Sequence, residues 1–144
     1  MPIAPPRPGL VISYAYLWRS EHEQGRDTGA KTRPAVIVLT AKDTEGETIV
    51  IVAPITHSAP SRPEDAIEIP TATKARLGLD SERSWVIVSE VNRFVWPGPD
   101  LAPVPGKQRR FDYGFLPPRL FKTITSQIVE RARARRLAVT QRQD

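Results

Sequence analysis

The stretch "TRPAVIVLTAKDTEGETIVIVAPITHS", Thr32 to Ser58, decides the fold. "PAVIVLT" (Pro34 to Thr40) is a short continuous apolar run, which predicts a strand buried on both faces or a barrel strand. "TIVIVAPI" (Thr48 to Ile55) has the same character, and "KDTEGE" supplies a turn around Gly46 between the two. The runs are therefore expected to pair as a hairpin. Antiparallel pairing would bring Arg33, just ahead of the first run, to the same end of the sheet as Ile55 and Thr56.

Outward from the hairpin, "GLVISYAYLW" (Gly9 to Trp18) is β-branched and aromatic and reads as a first strand. The charged stretch "EHEQGRDTGAKT" (Glu21 to Thr32) reads as a loop, with Gly25 and Gly29 permitting tight turns. Beyond the hairpin, "AIEI" is a short strand, and "TATKARLGL" one or two helical turns stopped at Gly78. "SWVIVSEVNRFVW" (Ser84 to Trp96) is a strand long enough to need a bend. In "LPPRLFKTITSQIVERARARRL" the apolar Leu120, Phe121, Ile124, Ile128, Ala132 and Leu137 recur at helical spacing behind two prolines, predicting a terminal helix. Short strands, proline-rich connections and one terminal helix give a small, strongly bent antiparallel barrel in a single domain. Its expected parts are a flexible Pro-rich leader (1–8), the barrel domain (9–138, its helix from about 118) and a polar tail (139–144).

Composition narrows the chemistry. The 144 residues contain no cysteine, which excludes disulfides, thiol catalysis and cysteine-ligated zinc. Two histidines without metal-ligand spacing make no metal site and no cofactor the expectation. "MPIAPPRPGL" lacks a signal-peptide pattern and no apolar run has membrane length, so a soluble cytoplasmic protein is expected. The net charge of +5 lies wholly between Arg119 and Asp144, with seven Lys or Arg against two Asp or Glu. Residues 1–118 hold fourteen of each sign, so net charge gives the body no argument for nucleic-acid binding.

Three segments carry reactive side chains at predicted strand ends. The first holds His22, Glu23, Lys31 and Arg33; the second Thr56, His57 and Ser58; the third Glu90, Asn92 and Arg93. Arginine is a permanently charged planar fork suited to phosphate oxygens. Threonine offers a hydroxyl to the same oxygens, and histidine titrates near neutrality and moves protons. Arg, Thr and His without a metal match RNA cleavage through the substrate's own 2′-hydroxyl, a group DNA lacks. Because neighbours on a strand point to opposite faces, His57 is expected to face away from Thr56 unless the chain bends.

"HEQG" with "TRPAVIV", "VAPITHS", "SWVIVSEVNRFVW" and "YGFLPPRLFKTI", in that order over roughly residues 9 to 130, resembles the MazF/PemK (Kid) toxin family of bacterial toxin–antitoxin systems. The resemblance implies an SH3-like barrel, a homodimer and a metal-independent endoribonuclease acting on single-stranded RNA. It also implies a cognate antitoxin lying across the RNA groove. By the same resemblance Arg33 stabilises the phosphorane, Thr56 holds the scissile phosphate, and His22 is the catalytic histidine with Glu23 beside it. Lys31, His57, Ser58, Asn92 and Arg93 complete the expected RNA-binding set. Two departures stand out: the loop "RDTGAKT" is long, and Ile87 and Ser89 replace the Arg-x-Asp pair of PemK-type members.

Each residue also has a plainer use. Arg33 covers apolar surface with its stem, Thr56 caps a loop, and His22 is solvated. Trp18 and Trp96 either stack a base or pack in the core or a dimer interface, and the basic tail is a solvated face that adds salt-dependent affinity for RNA. The alternative function is a non-catalytic SH3-like RNA- or peptide-binding module. A gyrase poison of the CcdB type fits worst, because residues 97–144 lack the tryptophan on which that activity depends.

Overall fold

The computed structural model describes residues 5–26, 31–107 and 109–142. The Pro-rich leader thus falls partly outside the described residues, as do the last two residues of the expected polar tail. Among the described residues lie eight strands: β1 (Leu10–Tyr14), β2 (Arg33–Lys42), β3 (Thr48–Thr56), β4 (Ala66–Glu68), β5 (Trp85–Ile87), β6 (Glu90–Val95), β7 (Asp112–Phe115) and β8 (Ala138–Gln141). Three α-helices accompany them: α1 (Arg19–Glu23), α2 (Thr71–Leu77) and α3 (Pro118–Arg133). The strands run β4-β5-β3-β2-β1-β7, with β6 attached to β3 and β8 to β6. All pairs are antiparallel except β6–β8. The result is a mainly β, barrel-like fold with a C-terminal helix.

The central hairpin forms as its apolar runs predict. Ala35 pairs with Pro54, Val36 with Ala53 and Ile37 with Val52, before a bulge shifts the register between Ile37 and Leu39. Both faces are buried. Val11, Val36, Ala53, Ile55, Val86 and Val91 pack toward Ile124 and Ile128 of α3. Ile12, Tyr14, Ala35, Ile37, Val50, Val52 and Phe94 form a second cluster on the opposite face. Burying Ile124 and Ile128 contributes about 1.5–3 kcal/mol each. Ala132, expected on that apolar face, is exposed.

The structure departs from the sequence reading in four places. The first strand stops at Tyr14, and Arg19–Glu23 is a short helix rather than loop. The Trp18 N–H donates to Glu21 Oε1 (3.1 Å) and starts that helix. Ser84–Trp96 is two strands, because β3 is long enough to host both: its end pairs with β5 and its beginning with β6. β7 comes from "DYGF", in a segment with no strand expectation. Finally, residues 139–142 are not a polar tail. They lie in or just after β8, and the Arg142 side chain is buried, donating to Ala15 O (2.7 Å) and pairing with Asp100 (2.8 Å).

Asn92 holds this region together. Its amide donates to Leu17 O (2.8 Å), while its Oδ1 accepts from Leu17 N–H (2.9 Å) and Arg142 Nη1 (3.2 Å). The residue is 0% exposed, so it is a clasp between the β1–α1 connection and the C-terminus and not the RNA contact expected of it. Asn92→Ala leaves the Leu17 backbone groups without these partners. We expect it to lower the unfolding free energy by about 2–4 kcal/mol, read from urea denaturation midpoints.

Candidate functional site

The hairpin register builds the site. Continuing the Ala35–Pro54 pairing by two residues sets Arg33, the first residue of β2, opposite Thr56, the last of β3. Arg33 also pairs with Tyr14 of β1, and Thr56 with Trp85 of β5. The register thus brings two residues far apart in sequence to the same end of the hairpin, each held by its own strand neighbour. They stand between two cavities of about 380 Å³ each. Lys31, Arg33, Thr56 and His57 line both cavities and join them into a groove.

Arg33 is half-buried, with its guanidinium 5.1 Å from the centre of the Trp18 ring. That distance suits a cation–π contact. Burial lowers its pKa from the usual arginine value, with the Glu21 charge acting in the opposite sense. Arg33 makes no ion pair among the described residues, and its buried Nε has no hydrogen-bond partner. A partly desolvated cation with an unmet donor is costly. An anionic oxygen in the groove would supply the counter-charge it lacks. Beside it, the Thr56 hydroxyl accepts the Ser58 N–H (3.1 Å), which orients it and leaves its own proton to donate.

The far wall comes from the segment after α2. Gly78 ends α2 at φ 72°, a left-handed conformation that glycine adopts without strain, and Leu79 N–H returns to Lys74 O (3.0 Å). Lys74 is buried on α2, and its ammonium spends its three donors on Asp80 Oδ1 (2.8 Å), Ser84 Oγ (2.7 Å) and the Glu82 carbonyl. The other Asp80 oxygen lies 2.8 Å from His57 Nε2, and Glu82 Oε2 is 3.7 Å from Nδ1. The hydrogen bond from Lys74, with the neighbouring His57 adding to it, holds Asp80 below its ordinary pKa. One face of the groove adds Ser13 and Tyr113, whose phenol burial pushes up. The other adds Trp18, Ser58 and Ile87.

His57 corrects the expectation from strand alternation. β3 ends at Thr56 and the chain bends, so both Thr56 and His57 line the groove. Lys31 and Ser58 also lie there. His22 and Glu23 do not. They sit on α1 in a different cleft of about 430 Å³ with Arg19 and residues 135–140, and Glu23 pairs with Arg19 (3.8 Å). The residues between α1 and Lys31 that would have to carry His22 back include 27–30, outside the described residues. Arg93 bonds to Gln141 of β8, and half-buried Glu90 accepts from Tyr16 Oη (3.1 Å) and Arg19 N–H (3.0 Å). Neither belongs to the groove. Burial raises the Glu90 pKa.

Asp80 and Tyr113 are groove residues that sequence reasoning misses, since nothing in their local spacing marks them. Trp18 is visible only as an aromatic at a strand end. The metal-ligating atoms of His57, Asp80 and Glu82 lie within 4.8 Å of one another, and those of Asp43, Glu45 and Glu47 do likewise in the β2–β3 turn. In the first trio, Asp80 already carries the Lys74 ammonium, a positive charge opposed to a divalent ion. In the second, Asp43 Oδ1 accepts the Glu45 and Glu47 N–H groups (2.9 Å each), as an ordinary turn does.

The Asp80 contacts carry a pH signature. A carboxylate with a lowered folded pKa stabilises the fold above its unfolded value near 4, and that contribution is lost as pH falls through the lowered folded value. The carboxyl-carbon NMR shift of Asp80 should therefore titrate below the ordinary aspartate midpoint. Lys74→Met should move that midpoint upward.

Among curated proteins none matches the chain. The family model described as "PemK-like, MazF-like toxin of type II toxin-antitoxin system" matches residues 16–94, more than half of the chain. The matched span contains Trp18, Arg33, Thr56, His57 and Asp80, and an antitoxin partner is part of what defines the family. The chain therefore belongs to the PemK-like, MazF-like toxins of type II toxin–antitoxin systems.

Proposed function

We propose that the protein is the ribonuclease toxin of such a system, a metal-independent endoribonuclease that cuts single-stranded RNA. The observation that carries the reading is Arg33: a half-buried cation opposite Thr56 that lines the groove and makes no ion pair among the described residues. Family membership supports it. In this reading a scissile phosphate occupies the groove and its oxygens take the Arg33 guanidinium and the Thr56 hydroxyl. The adjacent ribose 2′-oxygen attacks phosphorus, the bond to the 5′-oxygen breaks, and a 2′,3′-cyclic phosphate remains. Arg33 stabilises the extra charge on the phosphoryl oxygens in the transition state. Lys31 and Ser58 hold flanking phosphates, and Trp18 offers a face on which a base can stack. A cognate antitoxin would neutralise the toxin by covering this groove, and the working unit is a cytoplasmic homodimer.

A second reading, a binding module without turnover, is favoured by one feature. Ile87, in the place of a charged residue of PemK-type members, makes that part of the groove wall apolar. Kinetics on single-stranded RNA in EDTA separates the two. Arg33→Ala and Thr56→Val should each lower the cleavage rate, Arg33→Ala by about 10²- to 10³-fold. Full activity in Arg33→Ala would remove this site from the reaction. Tight binding without turnover in the unmodified protein would favour the module.

A further inference from the structure

The ribonuclease reading leaves the proton carrier open. Ile87 and Ser89 offer no titratable group where PemK-type members have one, and His22 lines a different cleft. Among the described residues lining the groove, His57 is the only imidazole. We propose that His57 is the proton-transferring residue of this groove, aimed by Asp80, with buried Lys74 fixing Asp80 in place. The proposal rests on the ribonuclease reading and names a residue that the family resemblance does not assign to catalysis.

Geometry supports each part. Asp80 Oδ2, 2.8 Å from Nε2, accepts the Nε2–H and so sets the tautomer that leaves Nδ1 with its lone pair. Nδ1 is 3.7 Å from Glu82, too long for a hydrogen bond, and is therefore available to substrate. The imidazole stays half-exposed and reaches both cavities that flank Arg33 and Thr56. This is the arrangement of a base oriented by a third group. Asp80 in turn is not a loose surface carboxylate. Lys74, whose side chain is 5% exposed, clamps its other oxygen and ties the same segment through Ser84 and the Glu82 carbonyl. Lys74 and Asp80 are thus positioning residues, acting through His57.

The step balances as follows. Nδ1 takes the proton of the 2′-hydroxyl as the 2′-oxygen–phosphorus bond forms. The phosphorus–5′-oxygen bond breaks, its electron pair stays on the 5′-oxygen, and that oxygen takes a proton from solvent. The imidazolium returns its proton to solvent and His57 is regenerated. The charged and titratable groups around His57 are Asp80 and Glu82 from the segment after α2, Lys74 behind Asp80, Arg33 and Lys31 from the β2 side, and Tyr113 in the same cavity lining.

The test is single-turnover cleavage of a single-stranded RNA against pH, using the full chain and the variants His57→Gln, Asp80→Asn and His22→Ala. Binding is measured in parallel with the same oligonucleotide carrying 2′-deoxy sugars, which cannot react. The unmodified protein should show a rate that rises through the imidazole range to a plateau. His57→Gln should bind the deoxy probe with unchanged affinity, cleave about 10²- to 10⁴-fold more slowly, and lose the rising limb. Asp80→Asn should bind the deoxy probe with unchanged affinity but lower the plateau rate by about 10-fold or more, because the imidazole loses the group that aims it. Both side chains are half-exposed, and thermal unfolding confirms that the variants are folded. A rising limb that survives in His57→Gln, or that disappears in His22→Ala instead, overturns the proposal and leaves the ribonuclease reading standing. No cleavage by the unmodified protein overturns both.

Discussion

The antiparallel pairing of β2 with β3 is the constraint on which everything else depends. It fixes the start of one strand opposite the end of the other, so Arg33 and Thr56 meet without either having to be held by its own side-chain contacts. It also commits both faces of the hairpin to apolar packing, one toward α3 and one toward Tyr14 and Phe94. A slip of one residue would turn both core faces inside out. The register is therefore strongly specified by the core, and the site inherits that precision.

Polar groups buried in the rest of the molecule serve position. Asn92 and Arg142 tie the C-terminal strand to the segment leading into α1, and Glu90 receives Tyr16 and the Arg19 amide. These contacts seat Trp18, whose ring lies beside the Arg33 guanidinium. On the opposite wall, Lys74 does for Asp80 what Asn92 does for Leu17: a buried polar side chain with its donors met holds a loop at a fixed place. Arg33 is the contrast. Where buried Arg142 has Asp100 as its counter-ion, Arg33 makes no ion pair among the described residues, and that sets it apart as the cation of the groove.

The hairpin, α2, α3 and the Arg33–Thr56 pair are legible in the sequence because they follow from local pattern: apolar runs, a glycine turn, helical spacing and strand polarity. β8 is not, because "AVTQ" is short and mixed, and its place comes from parallel pairing with β6 after α3 has reversed the chain. Asn92 looks like a site residue in "SEVNRF" because its burial depends on Leu17 and Arg142, both remote in sequence. His57 shows where a periodicity rule stops: alternation holds inside a strand, and the strand ends at Thr56. Asp80 has no local signature, since its role arises only when the segment after α2 folds over the end of β3.

The most direct measurement is the chemistry of the cut ends. A transcript incubated with the protein in EDTA is mapped for its cleavage site, and that site is then rebuilt in an oligonucleotide with either ribose or a single 2′-deoxyribose ahead of the scissile phosphate. Mass spectrometry should find a 2′,3′-cyclic phosphate and a 5′-hydroxyl from the ribose form, and intact deoxy oligonucleotide. Cleavage of the deoxy form, or a 5′-phosphate product, would contradict attack by the substrate's own 2′-hydroxyl and with it the account of this groove.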